Sequence, residues 1–110
     1  MAGIRYLAAR MEGMNGKALR EFSDQVRDRL GSGVIVLGSE SEGKANLLAA
    51  VTRDLTDRIQ AGRLIGALAE KVGGRGGGRP DLAQAGGSRP EGLNEALAGV
   101  ESLLVELLRD

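Results

Sequence analysis

Residues 34–37, Val-Ile-Val-Leu, are an unbroken apolar run, mostly β-branched, with Gly33 before it and Gly38 after it. A half-exposed strand would alternate apolar with polar residues. A continuous run instead fits a strand buried on both faces, which calls for layers packed on either side of a sheet. The surrounding sequence supplies such layers. Residues 4–14 read as a strand, with Ile4, Tyr6 and Ala8 alternating against Arg5, Leu7 and Ala9. Asn15 fits the N-cap of a helix in which Leu19, Phe22, Val26 and Leu30 recur at helical spacing and Gly31 supplies the stop. Residues 39–43 read as a solvated hairpin tip, and residues 45–51 as the second apolar run of an antiparallel hairpin in the middle of the sheet.

Thr56 or a neighbour is expected to open a second helix, with Leu64, Leu68 and Val72 on one stripe and Gly73 at its end. Residues 82–85 read as a short strand closed by Gly86 and Gly87. Pro90 suits the first turn of a last helix, where its missing N–H costs nothing. Leu93, Leu97, Val100, Leu104 and Leu107 line the apolar face of that helix. This stripe is too short for the three to four heptads that a coiled coil needs, so core packing is expected of it. The order is β-α-β-β-α-β-α: an α/β fold, a mixed β-sheet flanked by helices, in a single globular domain over residues 1–110. Met1-Ala2-Gly3 reads as the start of an expressed piece, so a longer parent chain is expected.

Composition removes most reactive chemistry. The chain has no Cys and no His, which excludes disulfides, thiolate chemistry, histidine bases and nearly every zinc site. No paired acids suited to glycosidase or aspartic-type catalysis are evident, and no Ser sits in a nucleophile elbow. No apolar stretch approaches the ~20 residues needed to cross a bilayer. The formal net charge is zero, but it is unevenly spread: residues 44–79 hold seven basic and three acidic side chains, and residues 80–110 hold two basic and six acidic ones. The basic potential is therefore concentrated on the middle third.

The strongest chemical feature is residues 73–81, Gly-Gly-Arg-Gly-Gly-Gly-Arg-Pro-Asp. Gly76, Gly77 and Gly78 allow a backbone to approach a ligand closely. Arg75 and Arg79 can each grip a phosphate bidentately, and Pro80 restricts the backbone of Arg79. Read as a loop, the segment offers an anion site made of bare N–H groups and two guanidinium forks; the alternative is a flexible connector. It is neither a P-loop, because no Lys-Ser/Thr follows, nor a dinucleotide fingerprint, because it follows a helix rather than a strand. Gln84 can reach a base edge or make a structural hydrogen bond. Asp81 beside Arg79 can form a salt bridge, brace the loop in the manner of an N-cap or ligate a metal; with no second acid or His close by in sequence, the loop brace is expected. The candidate nucleic-acid-binding residues are Lys71, Arg75, Gly76, Gly77, Gly78, Arg79 and Gln84, with Lys44 and Arg63 as peripheral cations. Catalytic and metal-binding residues are expected to be absent.

The run from Arg75 to Asp81 followed by Ala83-Gln84-Ala85-Gly86-Gly87, together with residues 30–38, 47–52 and Ala61-Gly62, resembles the C-terminal domain of bacterial alanyl-tRNA synthetase. It is similar, more distantly, to the associated domain of DHH-type phosphodiesterases. The resemblance covers nearly the whole chain. It implies a cytoplasmic parent that charges alanine-specific tRNA using ATP, magnesium and zinc. Its aminoacylation and editing domains would lie N-terminal to this piece, and none of their motifs occurs here. It further implies a module that docks the tRNA elbow and ties the two active sites to one tRNA, with no cofactor of its own. The alternative it implies is a phosphodiesterase accessory domain binding single-stranded nucleic acid. Those relatives usually carry Gly-Gly-Gly-His where this chain has Arg79, and the exchange favours binding over cleavage.

Overall fold

The computed structural model describes residues 4–108, so Met1-Ala2-Gly3 lies outside the described residues. Strand β1 (Tyr6–Glu12) leads into helix α1 (Gly16–Leu30), and strands β2 (Val34–Ser41) and β3 (Lys44–Val51) form a hairpin. Helix α2 (Ala61–Lys71), strands β4 (Gly74–Gly78) and β5 (Leu82–Gly87), and helices α3 (Leu93–Ala98) and α4 (Val100–Leu108) complete the chain. The sheet order is β1-β2-β3-β5-β4. Only β1 and β2 pair in parallel, and the other three pairings are antiparallel.

The Val-Ile-Val-Leu run lies in β2 and is buried throughout. Its side chains divide between two apolar clusters. Ile35 and Leu37 join Leu19, Leu48, Ala50 and Leu82 beneath α1. Val34 and Val36 join Leu47, Ala49, Val51 and the buried residues of α2, α3 and α4 on the other face. One sheet therefore separates two cores, as a doubly buried strand requires. Helix α1 starts as expected: Asn15 Oδ1 accepts a hydrogen bond from the Ala18 amide at 2.9 Å. Gly31, with φ +78°, ends it by donating its N–H to the Arg27 carbonyl.

Four expectations are corrected. The hairpin tip is only Glu42-Gly43, both with positive φ, which gives the strands the twist they need; Ser39 is a buried strand residue whose hydroxyl accepts from the Met14 amide at 2.9 Å. Thr56 does not open the second helix. It closes a single 3₁₀ turn at Arg53–Leu55, its hydroxyl donating to the Arg53 carbonyl, and α2 starts at Ala61, whose amide reaches the Pro80 carbonyl at 2.8 Å. The last helix is interrupted at Gly99, after a 3₁₀ turn at Pro90–Gly92, although its stripe still packs into the second core.

The largest correction concerns the glycine run. Residues 74–78 are not a loop but an edge strand paired with β5, so the order is β-α-β-β-α-β-β-α-α. The physical reason is visible at three glycines. A Cβ on Gly74 would overlap the Gly86 carbonyl, one on Gly76 would overlap Ala85, and Gly78 holds φ +156° against the Leu82 carbonyl. Only glycines permit this strand to lie so close to its neighbour.

Candidate nucleic-acid interface

Alternation along the strands decides which way each candidate points. Leu48 and Ala50 face α1, so Asn46 and Lys44 lie on the same face of β3. Leu82 faces α1 as well, and with it Gln84 and Gly86 of β5. The pairs Gly77↔Gln84 and Arg75↔Gly86 carry that face onto β4. Helix α1 covers β2, β3 and the Leu82 end of β5 but leaves the same side of β4 and the rest of β5 open. The result is a groove with the first turns of α1 as one wall and the β4–β5 hairpin as floor and rim.

Gly16, Lys17, Arg20, Asn46, Arg75, Gln84 and Gly86 line its main depression, of about 500 Å³. Arg20 and Gln84 continue into a second depression with Gly77 and Arg79. At the far end, Lys44, Asn46 and Gly86 border a shallow extension with Ser88. Lys17, Arg20, Arg75 and Lys44 are exposed and none forms an ion pair with a described residue. Arg79 Nε lies 3.4 Å from Asp81 Oδ1, so Asp81 forms the salt bridge and not the N-cap-like loop brace expected of it. Gln84 Nε2 donates to the Gly16 carbonyl at 2.9 Å. That bond ties the start of α1 to β5 and so holds Lys17 and Arg20 over the hairpin.

The other candidates lie elsewhere. Lys71 and Arg63 belong to α2, on the opposite face of the sheet. Lys71 Nζ approaches Glu95 Oε1 of α3 at 3.6 Å, and Arg63 borders a depression with Asp57, Arg58, Gln60 and Leu107. In an extended strand successive N–H groups point to opposite edges, so the amides of Gly76, Gly77 and Gly78 do not converge on one anion. The groove's charge comes from side chains. Sequence reasoning missed Lys17 and Arg20 because only the apolar stripe of α1 was read; their i, i+3 spacing at the start of that helix was the available signal.

Beyond Arg79 the groove opens into a larger, mixed-charge hollow of about 790 Å³, lined in part by Arg27, Arg53, Asp54 and Asp81. There the Ser32 hydroxyl donates to Asp54. That hydrogen bond, then one from Thr52, holds the Asp54 carboxyl below its ordinary value. Among the described residues no group of three or more His, Cys, Asp or Glu side chains could hold a metal, and no helix is long and apolar enough to cross a membrane.

A mixed sheet with α1 on one face, three helices on the other and a glycine edge strand is a recognisable class: the chain belongs to the DHHA1 domain family, whose pattern matches residues 3–106. Within it, the resemblance to the C-terminal domain of bacterial alanyl-tRNA synthetase is borne out. Over 108 residues the chain is 58% identical to an alanine–tRNA ligase of Anaeromyxobacter dehalogenans, covering 98% of this chain and 12% of that one. It is 56% identical over 102 residues to the enzyme of Chromohalobacter salexigens, covering 93% and 12%. The C-Ala domain of Aquifex aeolicus alanyl-tRNA synthetase superposes with a TM-score of 0.82 at 30% identity, covering 98% of this chain and 94% of that one. A DHH-domain protein described as a member of the s1p family of ribosomal proteins shares the fold, with a TM-score of 0.56 at 18% identity over 93% of this chain and 26% of that one. The chain thus spans about an eighth of the length of the ligases it matches.

Proposed function

We propose that this domain is a tRNA-binding module of an alanine–tRNA ligase, which docks the outer corner of alanine-specific tRNA and links aminoacylation with editing. In this reading the domain makes and breaks no bonds. ATP, magnesium and zinc serve catalytic and editing domains of the same cytoplasmic parent chain, and those domains are its other partners. The observation that carries the reading is the groove between α1 and the β4–β5 hairpin, where Lys17, Arg20 and Arg75 stand exposed without acidic partners among the described residues, in a chain of zero net charge.

Unpaired cations converging on one groove suit a phosphate backbone, and such contacts position a nucleic acid without reading its sequence. Arg79, shared with Asp81, and Lys44 at the far end extend the track. Lys71 and Arg63, on the other face, contribute only the long-range attraction that salt screens within ~10 Å. Specificity for the folded corner then comes from shape and exposed loop bases rather than from A-form grooves. With so few phosphate contacts, affinity at physiological salt is expected in the micromolar range or weaker.

Filter binding of folded tRNA across a salt series tests this. If Lys17, Arg20 and Arg75 each neutralise one phosphate, replacing all three by Ala flattens the slope of log K against log salt by roughly two to three. A folded triple variant with the wild-type slope would refute the assignment.

A further inference from the structure

The glycines of the β4–β5 hairpin are not all glycine for the same reason. Gly74, Gly76, Gly78 and Gly87 are demanded by the fold, since a Cβ on any of them would press into neighbouring backbone. Gly77 is different: nothing lies within 4 Å of where its Cβ would stand. At Gly86 the nearest atom is the Ala45 carbonyl oxygen at 3.8 Å, an ordinary contact. Neither has a positive φ. The fold therefore has no use for the missing side chain at either position, and at both of them a β-branched residue would serve a strand better.

These two glycines lie on the same open face of the hairpin, on a diagonal two ladder rows apart, with the Gly76↔Ala85 row between them pointing to the other face. Gly77 sits opposite Gln84, and Gly86 sits opposite Arg75. They leave a patch of bare, flat peptide inside the basic groove. Asn46 borders it on the row of Gly86, and its side-chain amide makes no hydrogen bond among the described residues. Gln84 commits its Nε2 to Gly16, which leaves its carbonyl oxygen as an acceptor. A flat, side-chain-free face with amide edges beside it and guanidinium groups around it matches one unstacked nucleotide. Proteins usually stack such a base on an aromatic ring; this chain has only Tyr6 and Phe22, and neither lines the groove.

We propose that Gly77 and Gly86 form a side-chain-free shelf that seats one unstacked base of the tRNA face-on, with Asn46 and Gln84 at its edge and Lys17, Arg20 and Arg75 on its phosphates. The inference rests on the tRNA reading above and adds that the two glycines set the fit. Gly77→Val is the test, because it fills the shelf and leaves every cation in place. Its thermal midpoint stays at or above that of the wild type, its tRNA dissociation constant rises about tenfold, and its salt slope is unchanged. In the wild type, NMR shows upfield ring-current shifts at the Gly77 and Gly86 α-protons on adding tRNA, and none on adding inorganic phosphate.

A folded Gly77→Val variant with wild-type affinity overturns the shelf while leaving the tRNA reading intact. An unfolded variant overturns it too, because the fold then does make a demand at residue 77. Absence of ring-current shifts in a wild type that binds tRNA removes the base from the shelf. A wild type without salt-dependent tRNA binding ends the parent reading, and the shelf falls with it.

Discussion

Alanine substitutions at two adjacent glycines of β4 are expected to change stability in opposite directions. At Gly76 a Cβ would overlap the Ala85 side chain and the Gln84 carbonyl oxygen. Those atoms belong to the pairing strand, so relief requires the hairpin to spread. Overpacking of this kind costs about 1–3 kcal/mol. At Gly77 the new methyl meets nothing within 4 Å, and its φ is not in the left-handed region. The methyl then acts mainly on the unfolded chain, whose freedom it reduces, and Gly→Ala at a compatible site stabilises by about 0.4–1 kcal/mol. The two variants should therefore differ by roughly 1.5–4 kcal/mol, with the wild type between them. At about 4 °C per kcal/mol for a domain of this size, their melting midpoints should stand roughly 6–16 °C apart. Thermal denaturation followed by circular dichroism measures this directly, with urea titration as a second estimate of the same difference. Equal midpoints, or a Gly77→Ala variant less stable than Gly76→Ala, would refute the claim that this strand lies within clash distance of β5 on one side and is open on the other.

Other substitutions test the framework around the groove. Leu19→Ala removes the fully buried anchor of α1 and should cost about 2–5 kcal/mol in urea unfolding. Asn15→Ala deletes the N-cap bond to Ala18 and should cost about 0.5–2 kcal/mol; because it frays the turn that carries Lys17, it should also weaken tRNA binding more than its stability loss alone explains. Asp54 has its folded pKa depressed, first by the Ser32 hydroxyl and then by Thr52. The associated stability is present above the unfolded carboxylate pKa and is lost as pH falls through the folded value. Ser32→Ala should therefore raise the Asp54 pKa toward the ordinary carboxylate value, read from the side-chain carboxyl carbon by NMR titration, and should weaken the acid-range pH dependence of unfolding.

Much of the architecture was legible because side chains wrote it. The stripe Leu19, Phe22, Val26, Leu30 with Asn15 before it and Gly31 after it defined α1, and the run from Val34 showed a strand with a core on each side. The edge strand was not legible, because period two is a statement about side chains and Gly74–Gly78 has only one, Arg75. Its extended form comes from pairing with β5 across the sequence, a tertiary contact that local propensity opposes. Thr56 misled for a related reason. A hydroxyl can cap a short turn as readily as it can open a long helix, and only the packing of Ala61 and Leu64 in the second core fixes where α2 begins.

The candidate site shows the same division. Arg75, Arg79, Gly77 and Gln84 were readable as a group because one short segment and its hairpin partner carry them all. Lys71 and Arg63 were grouped with them by distance in sequence, yet the sheet stands between α2 and the groove. Lys17 and Arg20 lie more than fifty residues away in sequence and join the site because Leu19 anchors α1 on the sheet and Gln84 holds Gly16 against β5. On the proposed function the glycine run serves two purposes. Alternate residues let β4 approach β5 more closely than any side chain would permit, and the intervening position faces solvent between guanidinium groups with no packing reason to be bare. Close strand pairing requires glycine on one side of the strand, and the proposed docking face would account for glycine on the other; together they would turn a five-residue edge into a nearly continuous run of glycine.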